Sequence, residues 1–187
     1  MFKKLVLITA LVLSLAGCGM VSVSDANHSD PNPKLNNSDF SNNDVMFAQM
    51  MIPHHQQAID MATIALQKST NPEIKNLAQQ IRSEQTTEIS TMQSWLTKAG
   101  QTEGDSMGNM GMGMLSDEEM RQLRLNTGVQ FDALFLQGML KHHQGAIQMA
   151  NPVLESDNKE VRDFATNITE TQKREIVIMK QLQSVLH

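Results

Sequence analysis

The pattern of hydrophobic and polar positions divides the chain into three parts. An apolar run from Leu5 to Ala16 follows two lysines and is too short to span a bilayer as a helix. The next stretch, residues 21–43, is rich in Ser, Asn, Asp and Pro, as flexible tethers are. The remainder has a globular composition. We predict a signal peptide over 1–17, a lipid anchor and tether over 18–43, and one folded domain over 44–187.

Helix-capping residues predict four long helices and one short helix in the folded domain. Four of the five predicted starts have a Ser, Asn or Asp that can accept hydrogen bonds from the first free N–H groups of a helix. Pro53 lies inside the first helix, where it removes one backbone hydrogen bond and should bend or loosen the helix. The first long helix is predicted from Ser41 or Asp44 to about Gln67, and the second from Asn71-Pro72-Glu73 to near Gly100. The short helix follows from the capping box Ser116–Glu119 to a break at Gly128. The third long helix then continues to about Ala150, and the fourth is capped at Asp157.

The folded domain contains an internal repeat. Residues 50–62, MMIPHHQQAIDMA, match residues 138–150, GMLKHHQGAIQMA, so that both copies read HHQxAIxMA. A second pair, QTTEISTM at 85–92 and QKREIVIM at 172–179, reads QxxEIxxM. Each copy is therefore one helical hairpin, and its short loop makes the two helices antiparallel. We predict an all-α, up-down four-helix bundle of hairpin repeats 44–99 and 129–187, with a Met/Gly-rich linker at 100–115 and a short extra helix between the halves.

Helical spacing places methionines beside both histidine pairs. Met51 and His55 are four residues apart, and so are Met139 and His143, so each pair lies one turn apart on one helix face. Adjacent histidines point in different directions, which predicts that one of each pair faces the core and the other a seam between helices. The candidate metal ligands are His54, His55, His142, His143, Met50, Met51, Met61, Met139 and Met149, and the candidate outer partners are Gln85, Glu88, Gln172 and Glu175.

These residues also have a structural interpretation. Met61 and Met149, like Met92 and Met179, suit adaptable core packing. The histidines could donate hydrogen bonds to Glu88 or Glu175 and fix the hairpins without any metal. In a metal site the same carboxylates would orient the imidazoles. The two sites need not be equivalent, because the residue before the first histidine is Pro53 in one copy and Lys141 in the other.

The two HHQxAIxMA stretches and the two QxxEIxxM stretches resemble the bacterial family called domain of unknown function 305. The resemblance runs from about Ser41 to the C-terminus. It implies an exported, ferritin-like helical bundle, and some members of the family are periplasmic copper-binding proteins. It further implies metal handling at His54, His55, His142 and His143 with nearby methionines. The family as a whole has no assigned enzymatic reaction.

The available ligand types favour copper. Thioethers prefer Cu(I) or Ag(I), imidazole accepts either copper state or zinc, and the folded domain has no cysteine. We therefore expect Cu(I), bound to a fold that does not require it. A second candidate site is the glycine-rich run in the linker, whose flexible backbone could wrap several sulfurs around one ion; the alternative is a disordered linker with incidental methionines. The methionines of this auxiliary loop are Met107, Met110, Met112 and Met114.

The sole cysteine indicates a lipid anchor. Leu15-Ala16-Gly17-Cys18 resembles the lipobox of bacterial lipoproteins, in which the cysteine is acylated and becomes the new N-terminus. The alternative is a free or buried thiol in an ordinary secretory leader. We predict an exported cell-envelope lipoprotein, periplasm-facing or extracellular, attached to the membrane through lipidated Cys18.

Other function classes have weaker support. A formal charge of −5 and the absence of Tyr argue against a nucleic-acid partner. Di-iron bundles use Glu-x-x-His, yet no Glu lies three residues before any of the four histidines. A serine nucleophile elbow, a phosphate loop and HExxH are also missing, so we expect no enzyme. The main alternative to copper binding is an interaction module with structural histidines and an envelope protein as partner.

Overall fold

The computed structural model describes residues 39–103 and 112–186 of the chain. The predicted signal peptide, Cys18 and most of the predicted tether lie outside the described residues. So do Met107 and Met110 of the predicted auxiliary metal loop. Met112 and Met114 of that loop lie within them.

The described residues form five α-helices and one short 3-10 turn, which confirms the all-α prediction. None of these helices is long and apolar enough to cross a membrane. The elements are α1 (Asn42–Lys68), α2 (Pro72–Lys98), α3 (Asp117–Leu125), α4 (Gly128–Ala150), the 3-10 turn Asn151–Val153, and α5 (Lys159–Val185).

The helix starts follow from their capping side chains. Ser41 Oγ accepts from the Asp44 N–H at 3.2 Å, and the Asp44 carboxylate accepts from the Ser41 N–H at 2.8 Å. Asn71 caps α2 ahead of Pro72. The predicted cap at Asp157 is wrong, because the neighbouring Asn158 accepts from the first amides of α5.

Two details concern the first helix. The helix continues across Pro53 without a break, so the loss of one N–H donor does not end it. Phe40 is buried and packs with the core residues around Trp95, at a ring-centroid distance of 6.0 Å from that indole. The last residues of the stretch predicted as tether therefore belong to the bundle.

Two apolar clusters, one at each end, make up the core and define the helix directions. The start of α1 and the end of α2 lie in the first cluster, while the end of α1 and the start of α2 lie in the second. By the same test α4 runs antiparallel to α1, and α5 antiparallel to α4. Packed neighbours are therefore antiparallel, as the repeat predicts. The Trp95 cluster includes Phe47, Ile52, Met92, Trp95, Ala150 and Val161, and the Phe131 cluster includes Ala62, Ile74, Phe131, Phe135, Met139 and Met179.

A polar layer separates these clusters at mid-height of the bundle. It contains motif residues of both repeats, from helices α1, α2, α4 and α5. Both clusters exclude water, so polar groups in this layer depend on one another for hydrogen bonds. We call it the histidine layer; its members are His54, His55, Gln85, Glu88, His142, His143, Gln172 and Glu175.

The two described ends of the connection between the hairpins lie at different levels of the bundle. Helix α2 ends in the Trp95 cluster, whereas α3 and the start of α4 lie in the Phe131 cluster. Leu115, just before α3, is buried in the Phe131 cluster. The described end of the connection therefore leads from Met112, at the level of the histidine layer, to Leu115 in the Phe131 cluster.

Candidate functional site

The centre of the histidine layer is a pair of facing imidazoles. His54 on α1 and His142 on α4 have ring centroids 3.7 Å apart and ring planes tilted by 36°. Both side chains are fully buried. The two residues are equivalent in the repeats, so the contact joins matching positions of the two hairpins. Sequence spacing alone did not pair them.

The second histidine of each pair faces its own hairpin partner. His55 Nε2 lies 2.8 Å from a Glu88 carboxylate oxygen, at ion-pair distance, and His143 Nε2 donates to Glu175 at 2.7 Å. The Glu88 side chain is 13% exposed and that of Glu175 is 3% exposed. The carboxylates therefore hold the outer imidazoles toward α2 and α5, and all four histidines are buried.

The ring nitrogens of the central pair have unused lone pairs. A carbonyl oxygen can only accept, so His54 Nε2 carries the hydrogen that it donates to the Met112 carbonyl at 3.0 Å. His54 Nδ1 then keeps its lone pair and has no hydrogen-bond partner among the described residues. Neither ring nitrogen of His142 has a well-oriented partner there. An unpaired buried acceptor is destabilising by about 1–3 kcal/mol, so this layer fits a guest that accepts lone pairs.

Burial keeps the central imidazoles neutral. It lowers the pKa of His54 from 6.5 to about 3, with the charge of His55 adding to the effect and the Met112 carbonyl opposing it. Burial also lowers the pKa of His142 well below its ordinary value, again with neighbouring histidines adding to the effect. A neutral imidazole is the form that binds metal ions. The pair is therefore in its ligand form at neutral pH.

Both glutamines of the second motif contribute further unpaired groups. The amide nitrogen and oxygen of Gln172 are buried without a hydrogen-bond partner among the described residues, and so is the amide oxygen of Gln85. One oxygen of Glu175 is in the same state. The layer thus holds more polar capacity than its own members satisfy.

The methionines lie above and below the layer in a symmetric arrangement. Met51 and Met92 are each four residues from His55 and Glu88, and both belong to the Trp95 cluster. Met139 and Met179 have the equivalent positions in the Phe131 cluster. Each outer histidine–carboxylate pair therefore has two thioethers one helical turn away.

The other predicted methionine ligands lie further off. Met61 and Met149 are seven residues from His54 and His142, or about 10 Å along the helix, and both lie in the apolar clusters. The methyl group of Met61 lies against Gly138. Met50 is partly buried against the Trp95 cluster. Within residues 39–103 and 112–186, no group of three or more His, Cys, Asp or Glu side chains could hold a metal ion.

The end of the inter-hairpin connection covers the central pair. Besides the His54 bond to Met112, Gln57 Nε2 donates to the Leu115 carbonyl at 2.9 Å, and Gln57 Oε1 accepts from the Leu115 N–H at 2.7 Å. We call residues Met112–Leu115 the strap. Met114 is half-buried within it, whereas the Met112 side chain is exposed.

Sequence reasoning missed the residues that hold the strap. Gln57 occupies the first variable position of HHQxAIxMA in the first copy, and Gly145 occupies it in the second. A Cβ atom on Gly145 would lie 1.7 Å from the Met112 carbonyl oxygen. The signal in the sequence was this difference, one of two between the HHQxAIxMA copies.

Solved structures of related proteins share this architecture. A DUF305 fragment from Deinococcus radiodurans is 32% identical, with a TM-score of 0.74 over 81% of this chain and 99% of that one. A candidate secreted DUF305 protein from Streptomyces coelicolor is 31% identical, with a TM-score of 0.71 over 75% of this chain and 91% of that one. CopM in its Cu(II)-bound form is 34% identical, with a TM-score of 0.69 over 77% of this chain and 97% of that one.

CopM has also been solved in Cu(I)-bound, silver-bound and apo forms. No curated protein matches the sequence. The profile of the family described as Domain of unknown function (DUF305) matches residues 44–183. The chain therefore belongs to the domain of unknown function 305 family.

Proposed function

We propose that this protein binds copper, as Cu(I), in the histidine layer and serves copper buffering, delivery or resistance at the cell envelope. The observation that carries the proposal is the central pair. Two buried, neutral imidazoles from the two repeats meet at a ring-centroid distance of 3.7 Å, with unpartnered ring nitrogens. Among the described residues, no hydrogen bond uses the lone pair of His54 Nδ1.

The chemistry of the surrounding residues supports a soft monovalent ion. Two imidazole nitrogens are too few for the four-ligand site that Zn²⁺ usually occupies, and no further His or carboxylate completes such a group in the described residues. Thioethers are the remaining donors nearby, and they favour Cu(I). We propose Met51 and Met139 as the nearest helix-borne candidates, with Met50, Met61 and Met149 less well situated.

The outer histidines have a supporting role in this proposal. His55 and His143 are held by Glu88 and Glu175, and such carboxylates orient imidazoles around a metal site. Gln85 and Gln172 supply further polar groups in the same layer. These residues would tune the site without contacting the ion.

Solved structures of related proteins support the proposal independently. CopM, at 34% identity, has been solved with Cu(II), Cu(I) and silver. The shared preference of these ions for nitrogen and sulfur ligands agrees with the donor set proposed here. The candidate secreted protein from Streptomyces coelicolor agrees with export. We further propose acylation at Cys18 and attachment to the membrane through the tether, and a binding protein in place of an enzyme.

The alternative is an interaction module with structural histidines. The contacts of His55 with Glu88 and of His143 with Glu175 favour it, because they fix each hairpin without any metal. The alternative predicts no tight copper binding at all.

An anaerobic Cu(I) competition titration of the chain without its predicted leader tests the proposal. The variant His54→Gln with His142→Gln should lose affinity by about 100-fold, the equivalent of about 2.7 kcal/mol. The matched control, His55→Gln with His143→Gln, removes the same number of imidazoles from the same layer and should lose about tenfold or less.

Three results would separate the possibilities. Binding lost only in the central variant supports the proposal. Equal losses in both variants would shift the site to the outer pairs. Absence of binding in the unaltered protein would contradict the proposal and leave the interaction module.

A further inference from the structure

The strap crosses the groove between α1 and α4 at the level of the central histidines. Three hydrogen bonds attach it: His54 donates to the Met112 carbonyl at 3.0 Å, and Gln57 both donates to and accepts from Leu115, at 2.9 and 2.7 Å. The primary amide of Gln57 pairs with the Leu115 backbone as one strand residue pairs with another. This two-point contact fixes both the position and the direction of the strap.

On the opposite side of the groove, the strap packs closely because glycines there have no side chains. A Cβ atom on Gly145 would lie 1.7 Å from the Met112 carbonyl oxygen and 2.9 Å from Gly113 Cα. Gly113 has a φ of +84°, and a Cβ there would lie 2.4 Å from the Lys141 carbonyl oxygen. Backbone packs directly on backbone, which only glycine permits at both positions. One repeat therefore supplies a clamp and the other a recess.

Burial along the strap shows which end is anchored. The Met112 side chain is 46% exposed, whereas Leu115 is 4% exposed and belongs to the Phe131 cluster. Displacing the Met112 end disturbs few apolar contacts and leaves Leu115 as the fixed end. The same displacement uncovers His54, whose Nε2 the Met112 carbonyl otherwise blocks. Local openings of this kind are far less costly than global unfolding.

We propose that residues Met112–Leu115 are a removable strap over the His54–His142 pair, and that Gln57 and Gly145 are the positioning residues that keep it closed. The closure itself stands on the contacts above. Its consequence, that the strap controls when a metal ion reaches the pair, rests on the proposed copper function. Met112 and Met114 then travel with the strap, so a thioether-bound ion arrives next to the His54 imidazole that opening uncovers.

Three substitutions should open the strap by different routes. Gln57→Ala removes the clamp. Gly145→Ala fills the recess with a methyl group while favouring the helix that carries it. Gly113→Ala changes only the strap and leaves all helices intact, so the test does not depend on a helix variant folding.

Matched controls are available at the neighbouring positions. Gln56→Ala makes the same change one residue before the clamp, at an exposed glutamine that donates to Asp60. Gln144→Ala alters an exposed residue next to the recess. Circular dichroism and thermal unfolding of all five variants establish that the bundle is intact.

Two measurements report opening without any metal. The first is hydrogen exchange of the Leu115 amide, and the second is the rate at which diethyl pyrocarbonate modifies His54. Loss of the hydrogen bonds to Leu115 should accelerate both by about tenfold or more in the three strap variants, and by less than about twofold in the controls. Unchanged rates in the strap variants, or equal acceleration in the controls, would overturn the proposal.

Copper uptake then tests the gating role. Stopped-flow binding of Cu(I) should be faster in Gln57→Ala and Gly145→Ala than in the unaltered protein, and uptake at the unaltered rate would overturn the role of the strap in access. If the unaltered protein binds no copper while exchange and modification respond as expected, the proposed copper function fails and the closure by Gln57 and Gly145 still stands.

Discussion

The two hairpins carry the same motif but use it differently at its edges. In the middle, both repeats place one histidine at the central contact and the other against a glutamate of the same hairpin. At the first variable position, Gln57 reaches out to the strap while Gly145 makes room for it. The two repeats place the same residue types in the histidine layer and different residues beside it. This difference indicates that the two hairpins are adapted to hold the strap.

The position before the first histidine differs in the same way. Pro53 lies within α1, whereas its counterpart Lys141 forms an ion pair with Glu119 of α3 at 3.1 Å. The Lys141 carbonyl also lies against Gly113 of the strap. The second hairpin therefore receives the connecting segment along its backbone, and the first hairpin holds it with a side chain.

The helix starts show the contrast again. Asp44 completes a capping box with Ser41 and also accepts from Ser156 Oγ at 2.7 Å. Its counterpart Asp132 has one buried oxygen without a hydrogen-bond partner in the described residues, and Thr127 makes no side-chain cap bond at the start of α4. The entry to the first hairpin is thus fixed more firmly than the entry to the second.

Removal of equivalent core aromatics should have the largest effect. Phe47 and Phe135 match in the repeats and are buried in the Trp95 cluster and the Phe131 cluster, respectively. Each Phe→Ala change should reduce the free energy of unfolding by about 3–5 kcal/mol, measured by urea denaturation. A difference between the two losses above about 2 kcal/mol would contradict the equivalence of the two cluster sites.

The outer carboxylates should differ from each other. Glu175→Leu leaves His143 Nε2 unpaired in a dry site and should destabilise the protein by about 2–3 kcal/mol. Glu88 is more exposed, so solvent can reach its position and Glu88→Leu should be destabilising by about 1 kcal/mol. Urea unfolding of the two variants at neutral pH checks this order, and the reverse order would show that burial does not govern these pairs.

Acid should weaken the metal-free protein through the central pair. The unfolded chain takes up a proton on His54 near pH 6.5, whereas the folded protein does so only near pH 3. Stability from this group is therefore fully present above pH 6.5 and lost as the pH falls from 6.5 toward 3, by about 1.4 kcal/mol per pH unit. Urea unfolding across this range should show the slope, and His54→Gln with His142→Gln should flatten it. An equally steep slope in the variant would assign it to other groups.

Removal of helix caps should give the smallest effect. Ser41→Ala removes an observed cap bond and should lower stability by about 1 kcal/mol. Thr127→Ala removes no such bond and should change stability by less than about 0.5 kcal/mol. Thermal unfolding of both variants would measure this difference. Equal shifts of the unfolding midpoint in the two variants would contradict it.

Most of the fold was predictable because its signals are local. Ser41, Asn71 and Ser116 start helices through side-chain contacts within three residues, and the repeat defined the two hairpins. The choice of Asp157 over Asn158 failed because both side chains can accept from a helix start. The second motif pair repeats after 87 residues, from 85 to 172, and the same spacing relates Asn71 to Asn158. That spacing could have decided the cap.

The residues that form the site were easier to predict than their arrangement. Motif spacing identified the four histidines and the glutamates that lie beside two of them. Which imidazoles meet depends on how α1 and α4 cross, and no one-dimensional period contains that information. The position of the strap was harder still to predict, because it depends on a close backbone approach between Gly145 and a segment far away in sequence.

The most direct test of the central claim is a long-range proton–nitrogen NMR spectrum of the histidine side chains, recorded before and after adding one equivalent of Ag(I) as a stable substitute for Cu(I). We predict that ring nitrogens of His54 and His142 shift to metal-bound positions while the ring nitrogens of His55 and His143 keep their original shifts. Shifts confined to His55 and His143, or no histidine shifts at all, would contradict a copper site at the central pair.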